Sequence, residues 1–177
     1  NFDEISKKRM ISKTANEMNL IHSNNIKDLV IFSPKHQSHY LTALNMFKDK
    51  PIIGVGVKKF EIYCDEKKFA HSSDACSTHP HNSYIQLLAE TGVIGFSYLC
   101  LILLYFIFYS FRHILYKFQG KNYFNDFEIF LLSAILITIW PIAPNGNFFN
   151  NWLNIIYYLP VGLFLWSKKK NKILTNN

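Results

Sequence analysis

Residues 77–96 read STHPHNSYIQLLAETGVIGF, and the rest of the chain is organised around them. Ser83 and Gln86 have the spacing of a capping box, which predicts a helix that starts near Tyr84. His81 then lies just before that helix, beside free backbone N–H groups and the positive end of the helix dipole. Anions bind well at such a position, and its positive potential favours a neutral imidazole that can accept a proton. The stretch therefore predicts a base and an anion site directly before a long apolar segment.

The chain has two unlike halves, so its mean hydropathy of +0.03 is an average over both. The first ninety residues are polar and rich in lysine, whereas apolar residues concentrate in the remainder. A formal charge of +7 could indicate a nucleic-acid partner. Basic residues flank the apolar segments, however, so juxtamembrane charge explains them better and no nucleic acid is expected. Since the chain begins at Asn1 without a signal-peptide pattern, we expect it to be the C-terminal part of a longer membrane protein.

Three apolar segments predict transmembrane helices over residues 93–111, 127–143 and 148–166. The first segment contains no charged residue. Lysines follow the first and third segments, and these two basic regions must lie on the same side because two spans separate them. By the positive-inside rule that side is the cytoplasm. The sequence thus predicts a mainly α, integral membrane protein fragment: an extracytoplasmic helical loop (1–91), then a membrane domain (92–177) of three spans with a cytoplasmic C-terminus.

Cys64 and Cys76 bracket a polar loop on the predicted outer side. Disulfides persist in oxidising compartments, so a Cys64–Cys76 bridge is the favoured interpretation. The alternative is a metal site built from Cys64, His71, Cys76, His79 and His81. That set lacks the close C-x-x-C or H-x-x-x-H pairs typical of zinc. We therefore expect no metal and no other cofactor.

Two motifs resemble those of the bacterial O-antigen ligase and polymerase superfamily. One is His81-Asn82 followed, after nine residues, by Gly92-x-x-Gly95, and the other is PIIGVG at 51–56, which resembles a PxxGxG segment. The resemblance covers roughly residues 38–111. It implies a multi-pass glycosyltransferase of the bacterial inner membrane, with residues 1–91 in the periplasm. The implied partners are the lipid bilayer, a polyprenyl-diphosphate-linked glycan donor, and a saccharide acceptor, either lipid A core or a growing chain.

Such a transfer needs a base for the acceptor hydroxyl and positive charge for the departing diphosphate. His81 is the candidate base, and the helix predicted to start beside it could help hold the diphosphate. His36 and His39 lie at the start of a second predicted helix; histidines there are usually structural or solvated, and His39 is kept as a candidate. The candidate substrate-binding residues are Asn82, Tyr84, Lys58, Lys59, His39 and Arg9.

Two of these assignments have structural alternatives, because Asn82 and Tyr84 could equally cap and pack the helix. The sequence contains no arginine between Arg9 and Arg112. Three spans are too few to enclose a lipid-carrier site of the family's usual size, so activity is expected of the longer parent. A non-catalytic membrane protein whose outer loop binds a metal or a partner is the alternative function. A transporter subunit is disfavoured, since no predicted span carries a central ionisable residue.

Overall fold

The computed structural model describes residues 3–17 and 33–175, and in this part of the chain the regular structure is helical, without β-strands. The mainly helical prediction is confirmed. The helices are α1 (Glu4–Lys7, the π-helical stretch Lys8–Lys13 and Thr14–Glu17), α2 (Pro34–Asp49), α3 (Phe60–Tyr63), α4 (Ser83–Phe118), α5 (Asp126–Thr138) and α6 (Asn151–Thr175).

Helix α4 is kinked at Gly92, whose φ of 64° and ψ of −159° interrupt the helical backbone. In an unbroken helix the carbonyls of Ala89 and Glu90 would accept from amides four residues later. Here the loop over residues 51–56 replaces those bonds. Three backbone hydrogen bonds join this loop to the kink: Val55 N–H to Ala89 O (2.9 Å), Gly56 N–H to Glu90 O (3.0 Å) and Val93 N–H to Pro51 O (2.9 Å). The kink therefore leaves none of these backbone groups unpaired.

Two glycines make this contact possible. A Cβ atom on Gly92 would lie 2.3 Å from Ile52 O, and one on Gly54 would lie 2.3 Å from Glu90 C. Both distances are far inside van der Waals contact, and both residues have positive φ. The two sequence motifs, 38 residues apart at these glycines, thus meet backbone to backbone.

Helix α4 is the one described helix long and apolar enough to cross a membrane; its most apolar 18-residue window has a mean hydropathy of 2.2. Large apolar side chains such as Leu101, Leu104 and Phe108 are exposed along it, as lipid contact requires. The first predicted span, 93–111, lies within this helix. The number of spans and their orientation stay predictions.

The helices at the other two predicted spans have bounds that differ from those spans. Helix α5 has 13 residues and is about 20 Å long, shorter than a hydrocarbon core of roughly 30 Å. It ends at Thr138, so the last part of the predicted span 127–143 lies in a loop. Helix α6 starts at Asn151 rather than 148, because the Asn150 side chain caps it by accepting from Trp152 N–H at 3.0 Å.

Two apolar cores flank the kink. Before it, α2 packs on the start of α4 around Met46, Phe60 and Ala89. After it, α4, α5 and α6 share a core that contains Phe106, Leu131, Ile135 and Phe164. The histidine motif lies at the start of α4, on the side of the first core.

Candidate active site

Asn82 caps the start of α4. Its side-chain Oδ1 accepts from Tyr84 N–H (3.0 Å) and Ile85 N–H (3.1 Å), and its Nδ2 donates to Pro141 O at 2.7 Å. The predicted capping box of Ser83 and Gln86 is therefore wrong, because a better cap precedes Ser83 by one residue. Two amides of the first turn are already satisfied, so the helix end offers an anion mainly its dipole.

Gln86 instead joins a buried polar network. Its Nε2 donates to Glu90 Oε2 (3.1 Å) and Asn147 Oδ1 (2.9 Å), while its Oε1 accepts from Phe148 N–H at 2.9 Å. Glu90 also accepts from Phe60 N–H at 2.9 Å. Burial raises the pKa of Glu90 above its ordinary value. The network therefore joins α4 to the start of α3 and to the loop between α5 and α6.

Asn145, in the loop between α5 and α6, holds the histidine motif in place. Its N–H donates to His81 O (3.0 Å), its carbonyl accepts from His79 Nε2 (3.3 Å), and its Oδ1 accepts from Ser83 Oγ (3.0 Å). The sequence marks this loop only as a turn. A contact spanning more than sixty residues leaves no local signal.

His81 has a left-handed backbone with φ of 59°, which is uncommon for a residue with a side chain. Its ring contacts three other histidines, and we call His36, His39, His79 and His81 the histidine cluster. The distances from the His81 ring centroid are 4.3 Å to His79, 5.2 Å to His36 and 5.6 Å to His39. Ser77 Oγ lies 3.0 Å from His81 Nε2.

The cluster lies where two helices begin. His36 is in the first turn of α2, whose N-cap is Ser33, and His81 immediately precedes the N-cap of α4. The His36 Nδ1 atom is 2.7 Å from Ser33 Oγ. The cluster therefore lies near the positive ends of two helix dipoles.

Burial is the main cause that lowers the pKa values of His39, His79 and His81. Loss of solvation, then the neighbouring His79, His36 and His39, lower the pKa of His81 to about 4. The pKa of His79 is lowered mainly by burial, against a hydrogen bond to Asn145. A neutral His81 ring can accept a proton.

His39 is the most buried ring of the cluster, with 3% of its surface exposed. Within the described part of the chain, neither ring nitrogen makes a hydrogen bond of good geometry. Burial, then His36 and Lys35, lower its pKa, while the nearby Cys76 backbone and Asp74 oppose that shift. A buried polar ring without a partner is unusual and suggests a place for a ligand.

The other predicted substrate residues lie apart from His81 or are engaged in packing. Tyr84 donates its hydroxyl to Ile139 O at 2.7 Å. Lys58 and Lys59 are exposed and lie beside Glu90. Glu90 is seven residues after the first residue of α4, which places it about 10 Å along the helix from that start. Arg9 belongs to α1, which packs extensively against none of the other described helices. Among these other predicted substrate residues, His39 is the one whose ring contacts that of His81. The substrate-binding roles of all of them stay predictions.

The structure places a disulfide between Cys64 and Cys76, with the Cα atoms 5.1 Å apart. The alternative metal-binding set is not assembled, since these two sulfurs bond each other and His71 is exposed. Among the described residues, the group with ligand atoms within 4.8 Å of one another is Cys64, Asp65 and Cys76, and no three histidines meet that limit.

Residues 17–100 match the family model described as O-antigen ligase. Over this segment the chain is similar to the O-antigen ligase family. The segment is just under half of the chain, and it includes both motifs and the histidine cluster. No curated protein and no solved structure matches the chain. Proteins of that family are membrane-associated, and α4 has the length and apolar composition needed to cross a membrane.

His36 and Asn145 are the site residues that sequence reasoning did not select. His36 precedes His39 by three residues on one helix face, a spacing that could have paired them. Nothing in the sequence links Asn145 to the histidines.

Proposed function

We propose that the chain is part of a membrane glycosyltransferase that transfers a glycan from a polyprenyl-diphosphate carrier to an acceptor sugar. The transfer takes place on the periplasmic face, and His81 is the general base. The observation that carries this proposal is the neutral His81 ring at the meeting point of two helix N-termini, directly before an apolar helix. The match of residues 17–100 to the O-antigen ligase family supports the glycan chemistry.

The proposed reaction is a single displacement. With Ser77 Oγ accepting from the Nε2–H group, His81 Nδ1 carries the lone pair that takes the acceptor's hydroxyl proton. The acceptor oxygen then bonds to the anomeric carbon of the donor sugar. The bond from that carbon to the diphosphate oxygen breaks, and its electron pair leaves with the diphosphate. The acceptor is lipid A core in a ligase and a growing chain in a polymerase.

The donor itself improves the base. A ring with a pKa of about 4 is neutral but only weakly basic. A diphosphate beside the histidine cluster brings negative charge, which raises the pKa of a nearby imidazole. The two helix dipoles stabilise the same anion as it departs. Donor binding and base strength are thus coupled in one site.

The test is glycan transfer in membranes that contain the full-length parent protein with His81→Ala. Loss of a general base typically lowers the rate by about 10²–10⁴-fold. His79→Ala should cost less, because Thr78 Oγ1 and the Asn145 carbonyl already engage both of its ring nitrogens.

The matched control is His71→Ala, an exposed histidine of the same loop outside the cluster, which should leave transfer unchanged. Protein abundance is measured alongside. Near-normal transfer by His81→Ala at normal abundance would refute the assignment.

A further inference from the structure

The histidine cluster contains the ligand groups of a metal site, but its spacing and potential suit an anion. Imidazole nitrogens on one tetrahedral zinc ion lie about 3.4 Å apart, given Zn–N bonds of 2.0–2.1 Å. No three histidines of the described chain bring ring nitrogens within 4.8 Å. Rings that donate to the oxygens of one phosphate can stand about 5–6 Å apart, since an oxygen lies between each nitrogen and the phosphorus. Two helix N-termini also repel a cation and attract an anion.

The unpartnered ring of His39 is the independent observation that points to a ligand. It is 97% buried, its nitrogens have no partner of good geometry in the described residues, and its centroid lies 5.6 Å from His81 and 6.1 Å from His36. His36 is more accessible than His39, and its ring centroid lies 5.2 Å from that of His81. These two rings of α2 thus flank the candidate base.

We propose that His36 and His39 form a proton-dependent phosphate site, which holds the donor's diphosphate and takes up a proton as the diphosphate binds. The identity of the ligand as the donor's diphosphate rests on the proposed function, whereas the phosphate site itself does not. Histidine takes the place of a permanent cation here, since the sequence has no arginine between Arg9 and Arg112.

The charged and titratable groups that face His39 are few. On its own helix they are Lys35 and His36; from the loop before α4 they are Asp74 and His81. Asp74 is exposed, and Glu90 lies two turns along α4 and is hydrogen-bonded elsewhere. Lys35 and the helix dipoles disfavour a proton on the empty site. A bound dianion outweighs them, so binding draws a proton from solution.

The direction of the pH dependence follows from this linkage. The empty His39 ring binds a proton only below the ordinary histidine pKa of 6.5, and the same ring beside a bound anion binds it at higher pH. Affinity for a phosphate must therefore rise as the pH falls. For one linked proton, binding at pH 6 should be about tenfold or more tighter than at pH 8.

The experiment is isothermal titration calorimetry on the detergent-solubilised, full-length protein at pH 6 and pH 8. The probe is the dimethyl diester of diphosphate, whose two charges do not titrate in this range, so any pH dependence belongs to the protein. Two buffers with different ionisation enthalpies give the number of protons taken up. The expected result is uptake of up to one proton and the tenfold pH effect.

Substitutions at His36 carry the test, because His39 is buried and its variants could fail to fold. His36→Gln keeps hydrogen bonding but cannot charge, and it should weaken binding at pH 6 and reduce the pH effect. His36→Arg supplies a fixed cation and should keep tight binding at pH 8, a rescue that a structural role would not give. His71→Gln should match the unmodified protein.

Probe binding that is absent, independent of pH, or unchanged by His36→Gln would overturn the phosphate site. These outcomes are separable from a failure of the proposed function. If transfer depends on His81 while probe binding takes up no proton, only this inference fails. If the probe binds with proton uptake but no glycan is transferred, the phosphate site stands and the proposed function fails.

Discussion

The contact between the two motifs predicts that Gly92→Ala is far more damaging than an ordinary glycine substitution. The first contribution is the backbone, since φ of 64° with ψ of −159° is a region that only glycine adopts readily and costs other residues about 1–3 kcal/mol. The second is the clash of the new Cβ with Ile52 O at 2.3 Å and Pro51 O at 2.6 Å. Relief of that clash requires the loop over residues 51–56 to move by about 1 Å, given a normal contact near 3.4 Å.

Such a movement breaks the three backbone hydrogen bonds between the loop and the kink. At about 0.5–1.5 kcal/mol each they add roughly 1.5–4.5 kcal/mol. The combined loss is on the order of 3–7 kcal/mol. Gly120→Ala is the matched control, because Gly120 also has positive φ (72°) but a Cβ there would meet nothing within 4 Å. It should cost only about 1–2 kcal/mol.

The assay compares thermal unfolding of the two variants in the same detergent, together with hydrogen exchange of peptides that cover residues 51–56. Gly92→Ala should unfold at a clearly lower temperature than Gly120→Ala and lose amide protection at Val55 and Gly56. Equal stability of the two variants, or retained protection in Gly92→Ala, would show that the backbone contact does not hold the kink.

Three further predictions concern topology, redox state and acid stability. Reporter fusions should place residue 70 outside and Lys121 and the C-terminus inside; a cytoplasmic residue 70 would reverse the predicted orientation. Thiol labelling in native membranes should modify Cys64 and Cys76 only after a reductant is added, and labelling without reductant would exclude a bridge worth roughly 2–4 kcal/mol. In buffer without phosphate or sulfate, thermal stability should fall as the pH drops from 6.5 towards 4, because His39, His79 and His81 are protonated at higher pH in the unfolded chain than in the folded one. His81→Gln should flatten that decline, and an unchanged slope would contradict the depressed pKa.

Local patterns predicted the helix after His81 and the apolar stretch beyond Gly92, because both depend on neighbouring residues. They failed where a second segment decides the outcome. Ser83 and Gln86 satisfy the spacing of a capping box, yet Gln86 is taken by Asn147 and Phe148, which only tertiary folding brings within reach. The helix that begins the predicted span 127–143 likewise ends early, at Thr138, although apolar residues after it continue the hydropathy signal.

The candidate site shows the same division between local and long-range information. The position of His81 before a helix follows from its neighbours in sequence. Its association with His36 does not, since α2 and α4 pack through Met46 and Ala89 and thereby bring two helix starts together. A kink at Gly92 was likewise not predicted, because a G-x-G turn alone does not identify its partner.

The choice of histidine over a permanent cation has a physical reason in this fold. A lysine or arginine at the position of His39 would be buried near the starts of α2 and α4, and the exposed Asp74 is the one described carboxylate beside it. An unpaired buried cation costs several kcal/mol, and the two dipoles would add to that cost. A histidine avoids it, because the ring stays neutral while the site is empty. On the proposed mechanism, the positive charge forms only when the diphosphate binds. The diphosphate thus induces the charge that stabilises it when it leaves the donor sugar.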